Sequence, residues 1–254
     1  TLSRIAKALK QPISFFIAPE LPVFGAMSTR FFRATGANTK RRNLMCDVLA
    51  KWFVQVTRYL EGFVNFPATN VPDFTPNGPS EEYSNEEIEL AAEQCRKVWG
   101  LGNGPISNVV SLMETKGIFI CRLAVPEKNI DAFSFWNGGR PFVFLSSCKE
   151  SPVRLRYDAA HELGHLVLHK WVDRDEINDK ERLKVIEKEA NLFAAAFLLP
   201  RKTFVNEVYT SRIYAFVELK RRWKVAIQAM IMRCRTLGVF DEDQVVNSYK
   251  QISK

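Results

Sequence analysis

The three histidines of the chain, His161, His165 and His169, all lie within the segment DAAHELGHLVLHK. The first two fit the pattern H-E-x-x-H, in which positions i and i+4 lie one turn apart on the same face of an α-helix. Both rings can therefore direct a nitrogen to one metal ion, and Glu162 can act as general base on a water beside that ion. The spacing predicts a catalytic metal site, with a chance match on an amphipathic helix as the alternative.

The neighbours of this motif favour metal binding over a chance match. The helix is otherwise apolar, so its imidazoles and carboxylate would be buried without partners unless a metal compensates them. Asp158 lies one turn before His161, where it can cap the helix. His169 is eight residues beyond His161, a rise of about 12 Å, which is too far for the same ion. We expect His169 beside the site, at the helix end, or simply packed in the core.

A third protein ligand is expected from a second helix packed against the first. The segment EKEANLFAAAFLLP offers Glu187 and Glu189, with small alanines that permit close approach. Glu189 shares an apolar stripe with Ile186 and Phe193, and a carboxylate on a buried stripe needs a partner. Helix geometry does not exclude Glu187, so both glutamates stay open at this point.

Apolar periodicity and turn residues predict the elements that position these groups. The predicted strands cover residues 118–125, 132–136 and 140–147, the last two joined by the turn NGGR, and the strand 140–147 is a candidate edge for an extended peptide. A capping box at Ser84 and Glu87 starts one helix. The predicted helices cover residues 1–11, 43–64, 84–99, 108–116, 153–169 and 179–199, with further helix to about residue 237.

The segments RLRYDAAHELGHLVLH and EKEANLFAAAFLLP closely resemble the ImmA/IrrE family of zinc metallopeptidases, and the similarity extends over residues 85–200. The resemblance implies an α+β, mainly helical fold: a zincin-like (gluzincin) core with a small mixed sheet over the HExxH helix. In that family the glutamate directly before Ala-Asn is the third ligand. The resemblance therefore implies His161, His165 and Glu189 as ligands of Zn²⁺ and Glu162 as the catalytic base.

The same resemblance implies a zinc endopeptidase that cleaves a partner regulatory protein, a repressor or an antitoxin-like protein. The alternative is a DNA- or protein-binding transcriptional regulator, or the toxin-like member of a toxin–antitoxin pair, that keeps the metal site with little general proteolysis. Three tyrosines are candidates for stabilising the oxyanion: Tyr157, Tyr209 and Tyr214.

The flanks suggest further units. Residues 1–22 resemble the end of a Cro/repressor-type helix-turn-helix domain, 23–83 form a helical connector and linker, 84–200 the metallopeptidase core, and 201–254 a helical, helix-turn-helix-like segment. A basic run in the last unit could contact phosphates or an acidic partner, and the alternative is a solvated face over Ile227, Met230 and Ile231. The run comprises Lys220, Arg221, Arg222 and Lys224, with Arg233 and Arg235 nearby.

Composition sets the remaining expectations. The formal net charge of +8 favours a polyanionic partner, although a solvated surface explains the same surplus. The five cysteines are odd in number and widely spaced, which predicts free thiols in a reducing cytoplasm. The sequence has no run of about 18 apolar residues, so no membrane span or membrane partner is expected.

Overall fold

The computed structural model describes residues 1–17, 31–34, 40–74, 82–123, 130–146 and 151–252. Helices dominate the described residues, and four strands form one sheet. The strands are β1 (Phe31–Ala34), β2 (Phe119–Leu123), β3 (Ile130–Asn137) and β4 (Arg140–Ser146). The helices are α1 (Leu2–Leu9), α2 (Ile13–Ile17), α3 (Lys40–Glu61), α4 (Asn85–Val98), α5 (Val109–Thr115), α6 (Pro152–Leu168), α7 (Arg174–Asn178), α8 (Lys180–Leu198), α9 (Arg201–Glu207), α10 (Ile213–Trp223), α11 (Ile227–Thr236) and α12 (Glu242–Ile252).

The sheet is mixed and has the order β1-β3-β4-β2. Strands β1 and β4 run antiparallel to β3, whereas β2 runs parallel to β4. The predicted hairpin between β3 and β4 is confirmed, and its two turn residues, Gly138 and Gly139, both have the positive φ that such a tight turn requires. The predicted edge position of β4 is wrong. Strand β2 pairs with the side of β4 that faces away from β3. Strand β4 is therefore internal and cannot accept an extended peptide.

The two faces of the sheet bury different partners because side chains alternate along each strand. One face carries Phe133, Phe135, Phe142 and Phe144, which pack in one cluster with Cys46, Ala50 and Val54 of α3. The opposite face carries Ala132, Val143 and Leu145, which join the main core together with residues of α6. The sheet therefore lies between α3 and the helix that bears the histidines, as the predicted fold class requires.

Helices α4, α6 and α8 form the helical layer beneath the sheet. The predicted cap at Asp158 is wrong, because α6 begins at Pro152 and Asp158 lies inside the helix. Ser84 and Glu87 make the predicted capping box at α4, and the side chain of Asp179 caps α8. At Gly164, α6 approaches α8 closely. A methyl group added there would lie 3.1 Å from the carbonyl oxygen of Ala190, so only glycine fits without a shift. Small residues thus permit the close approach, as predicted.

The helices after residue 200 pack on the same core. Four of their side chains belong to one buried cluster with residues of α4, α6 and α8, namely Phe216, Trp223, Met230 and Val245. Helices α10 and α11 are joined by residues 224–226, which matches the predicted helix–turn–helix spacing. Helix α12 was not predicted, although its start carries a reciprocal capping pair, in which Asp241 and Gln244 each bond the other's backbone N–H.

The N-terminal segment forms α1 and α2 around the predicted turn at Pro12. The rest of the proposed helix-turn-helix remnant, residues 18–22, lies outside the described residues, as do parts of the connector and Cys148. Of the other cysteines, Cys46 is buried, and three are free thiols: Cys95, Cys121 and Cys234. Among the described helices, none has both the length and the apolar character needed to cross a membrane. The division of the chain into four units stays a prediction.

Candidate metal centre

The two histidines of the HExxH motif meet inside the protein. His161 and His165 are one turn apart on α6, and both side chains are fully buried. Their Nε2 atoms lie 3.1 Å apart. Two ring nitrogens at this separation can share one ion, so the structure places the predicted pair as the spacing indicated.

The third group at this point is Glu187 on α8. Its Oε2 lies 3.3 Å from the Nε2 of His161, and its Oε1 lies 3.4 Å from the Nε2 of His165. Each of these three residues offers one ligand atom, and the three atoms lie within 4.8 Å of one another. A histidine pair with one carboxylate is the ligand set of several catalytic zinc sites.

Glu189, which the family resemblance implies as the third ligand, lies outside this group of ligand atoms. Residues two apart on a helix point in directions about 200° apart, so Glu187 and Glu189 face different neighbours. Glu189 is buried, as its apolar stripe predicted, but its Oε2 lies 2.8 Å from the Nε2 of His169 and its Oε1 accepts the backbone N–H of Tyr83 at 2.7 Å. The predicted burial of the Glu189 carboxylate indicated that it has a partner, and that partner is His169.

Asn191 holds the His161 ring in place. Its Nδ2 donates to the carbonyl oxygen of Glu187 at 2.7 Å, which turns its Oδ1 toward the Nδ1 of His161 at 3.2 Å. Because the amide oxygen can only accept, His161 must carry its proton on Nδ1, and its Nε2 presents a lone pair. The sequence contained a signal for this role, since Asn191 is four residues after Glu187 and so shares its face of α8.

The arrangement fits a zinc ion. Zinc–ligand bonds of about 2.0–2.1 Å at tetrahedral angles separate neighbouring ligand atoms by about 3.3 Å, close to the distances among His161, His165 and Glu187. The Oε1 of Glu187 is buried and has no hydrogen-bond partner, as expected of an atom placed to bind a cation.

Glu162, the predicted base, follows His161 directly and is fully buried. Its Oε2 accepts a hydrogen bond from the hydroxyl of Ser134 at 2.6 Å. Ser134 is also fully buried, on the face of β3 opposite Phe133 and Phe135. Sequence reasoning missed it, although a single hydroxyl between two phenylalanines in a strand is a detectable signal. The bond orients the Glu162 carboxylate from the sheet side.

His169 is the C-cap residue of α6 and lies outside the ligand group, as expected from its distance along the helix. Its Nδ1 lies 3.0 Å from the Nδ1 of His165. Burial lowers the pKa of His169 to about 4, against the raising effect of its hydrogen bond with Glu189. The imidazole is therefore neutral at physiological pH.

The three tyrosines proposed for the oxyanion role lie in different settings. The hydroxyl of Tyr157 donates to the backbone oxygen of Asn191 at 3.1 Å. Tyr209 and Tyr214 are exposed, at 75% and 60% of their surface. Their role in stabilising an oxyanion stays a prediction.

The basic run near the C-terminus is largely paired with acidic side chains. Arg221 contacts Glu218, and Arg222 contacts Glu207. Arg233 had been grouped with this surface run, but it is buried and makes a bidentate contact with Glu89 of α4. It is therefore a core anchor. The nucleic-acid contact predicted for Arg221, Arg222 and Lys224 stays a prediction.

Comparison with known proteins agrees with the site. Residues 113–235 match the family model Peptidase_M78, described as "IrrE N-terminal-like domain", and this segment contains α6 and α8 with all the residues of the centre. No curated protein sequence matches the chain. Among solved structures, the chain is similar to a "Mycobacterium tuberculosis transcriptional regulator", with 19% identity and a TM-score of 0.42 over 58% of this chain and 46% of that one. The chain thus spans less than half of that protein's length. Residues 113–235, which carry this centre, are thus similar to the Peptidase_M78 family, and the similarity supports a metallopeptidase-type fold for this part of the chain.

Proposed function

We propose that the chain is a zinc-dependent endopeptidase that cleaves a partner regulatory protein. The observation that carries the proposal is the convergence of His161, His165 and Glu187 on one point, with Glu162 buried next to the first of them. Three protein ligands leave a fourth position of a tetrahedral ion open, which is the arrangement of catalytic rather than structural zinc sites.

Each residue of the centre has a defined task in this proposal. His161, His165 and Glu187 would hold a zinc ion, which would supply Lewis-acid activation of the attacking water and the scissile carbonyl. Glu162 accepts the proton of the attacking water on its carboxylate and passes it to the nitrogen of the leaving amine. Ser134 holds that carboxylate through the 2.6 Å hydrogen bond, and Asn191 keeps the Nε2 of His161 unprotonated.

For the substrate we infer a folded repressor or antitoxin-like protein, which the family resemblance implies, and we place the protein in the cytoplasm. A protease for one folded partner recognises that partner through surfaces outside the cleaved segment. Unfolded proteins such as casein lack these surfaces and should be cleaved poorly.

Metal analysis and a cleavage assay test the proposal together. The purified chain should contain about one zinc per molecule. It should cleave the product of a neighbouring regulatory gene at one site. Glu162→Gln should keep the zinc and abolish cleavage, because it removes the base and no ligand, while Glu187→Ala should lose both. Cleavage that survives in Glu162→Gln, or rapid Glu162-dependent digestion of casein, would contradict the proposed reaction.

The competing function is regulation by binding, without cleavage. The net charge of +8 and the helix–turn–helix spacing of α10 and α11 favour it. Glu218 and Glu207 lie beside Arg221 and Arg222 and reduce the local positive charge that a phosphate would meet.

A further inference from the structure

We propose that His169 and Glu189 form a buried hydrogen-bond relay that sets the tautomer and the ring orientation of His165 for metal binding. The proposal deepens the metal site proposed above and depends on His165 being a ligand. It assigns a task to the third histidine and to the second glutamate, neither of which belongs to the ligand group.

The relay is a continuous set of contacts leading away from the metal site. The Nδ1 of His165 lies 3.0 Å from the Nδ1 of His169, and the Nε2 of His169 lies 2.8 Å from the Oε2 of Glu189. The second carboxylate oxygen, Oε1, accepts the backbone N–H of Tyr83 at 2.7 Å. The side chains of His165, His169 and Glu189 are all buried, so water does not compete for these hydrogen bonds.

Only one assignment of protons satisfies all these contacts when His165 binds a metal through Nε2. The Nδ1 of His165 must then carry the hydrogen, so the facing Nδ1 of His169 must accept it. A neutral His169 carries its own hydrogen on Nε2 and donates it to Glu189. The carboxylate of Glu189 accepts at both oxygens. If His169 were protonated, its Nδ1–H would face the Nδ1–H of His165 at 3.0 Å, and the two groups would repel each other.

The direction of the relay explains why an acidic residue is needed at its far end. A carboxylate has no proton to donate, so Glu189 forces the hydrogen of His169 onto Nε2 and leaves Nδ1 as an acceptor. The Nδ1 of His169 in turn holds the hydrogen of His165 on its Nδ1. The Nε2 of His165 is then left with a lone pair that faces Glu187. The ligand is thereby prepared before an ion arrives, which is the role that carboxylate–histidine pairs play around metal sites.

Loss of such an outer partner typically weakens metal affinity by about 10–100-fold, whereas the ligands themselves remain. We expect this loss for His169→Leu, which removes both ring nitrogens. His169→Gln should retain most of the affinity, because its amide offers one acceptor and one donor. The zinc affinity of Glu189→Gln should lie between those of the two His169 variants. The amide oxygen of this glutamine can accept from either His169 or Tyr83, but its NH₂ group cannot accept from the other one.

Tyr83→Phe is the matched control. The hydroxyl of Tyr83 donates to the carbonyl oxygen of Leu168, next to His169, while its backbone N–H makes the contact with Glu189. The substitution therefore loosens the same end of α6 by one hydrogen bond and leaves the relay intact. Its zinc affinity should equal that of the wild type, which separates a positioning role from general loosening.

The experiment uses the full chain and two readouts. The zinc dissociation constant is measured by competition with a chromophoric chelator, and the tautomers of the imidazoles are read from long-range ¹H–¹⁵N NMR spectra with and without zinc. We expect the order wild type, Tyr83→Phe and His169→Gln tightest, Glu189→Gln weaker, and His169→Leu weakest. In both states His169 should carry its hydrogen on Nε2.

The outcomes separate this proposal from the proposed function. A wild-type chain that binds no zinc would overturn the metal site and, with it, the relay, which depends on His165 being a ligand. Equal zinc affinities for wild type and His169→Leu would overturn the relay and leave the metal site standing, and so would a hydrogen on the Nδ1 of His169. Complete loss of zinc in Glu189→Gln, with zinc retained in Glu187→Ala, would make Glu189 a ligand and also overturn the relay.

Discussion

Replacing Arg233 by methionine should destabilise the protein by about 3 kcal/mol without affecting its metal site. Breaking a buried ion pair by removing one partner costs about 3–5 kcal/mol, because the remaining charge is left without its counterpart. The guanidinium of Arg233 donates to both oxygens of Glu89 on α4 and, through Nε, to the carbonyl oxygen of Leu199 at 3.1 Å. The side chain thus joins α11 to α4 and to the end of α8.

The structure also predicts which half of the pair is more costly to remove. The side chain of Arg233 is 1% exposed, whereas that of Glu89 is 15% exposed. After loss of Arg233, water can partly solvate the carboxylate, which limits the penalty to the lower end of the range. After Glu89→Leu, the guanidinium stays buried with only a carbonyl partner, so the cost should approach 5 kcal/mol. The double variant should be more stable than the Glu89→Leu single variant.

Urea unfolding of the four proteins, followed by circular dichroism, measures these differences. With an unchanged slope, the shift in midpoint gives the change in the free energy of unfolding, and the four values give the coupling energy of Arg233 with Glu89. Zinc content serves as the control and should stay constant. A cost below about 1 kcal/mol for Arg233→Met, as for an exposed pair, would refute the buried anchor. So would a larger cost for Arg233→Met than for Glu89→Leu.

Three further substitutions test other parts of the structure. Gly164→Val should cost about 1–3 kcal/mol in urea unfolding and weaken zinc binding, because the added methyl groups press on Ala190 and displace α8; unchanged zinc affinity would contradict the tight approach. Asp179→Ala should cost about 1 kcal/mol by the same assay, since its carboxylate caps α8, and no change would show that the cap is dispensable. Replacing Arg221 and Arg222 by Glu should abolish the weak duplex DNA binding that we expect and leave the zinc content unchanged. In a salt titration, operator and random DNA should lose affinity together, whereas a preference for one operator of about a hundredfold or more would favour the DNA-binding function.

Features that depend on neighbours in the chain could be predicted from the sequence. The face shared by His161 and His165 follows from a spacing of four residues, and the capping box at Ser84 follows from a spacing of three. The two glycines between β3 and β4 predicted the tight turn for the same reason. All of these interactions form within one helix turn or one hairpin, so the local sequence is sufficient.

The third ligand shows where local reasoning ended. Burial of a carboxylate correctly indicated that Glu189 has a partner, but both glutamates are compatible with a helix packed on α6. The choice depends on how α8 is rotated about its own axis, and that rotation follows from the packing of α8 on its neighbours, including the close approach of Ala190 to Gly164. The resemblance to a family favoured Glu189, and the three-dimensional arrangement favours Glu187.

The sequence by itself determined the HExxH helix, the start of α4 and the turn between β3 and β4, because these depend on residues a few positions apart, and the resemblance to a family implied the fold class. Only the tertiary structure decided that β4 is internal, that Ser134 reaches Glu162 from the sheet, and that Arg233 is buried against Glu89. Each of these pairings joins elements that are distant in sequence. Their contacts follow from how the helices and the sheet pack together, and no spacing along the chain encodes that packing in a readable form.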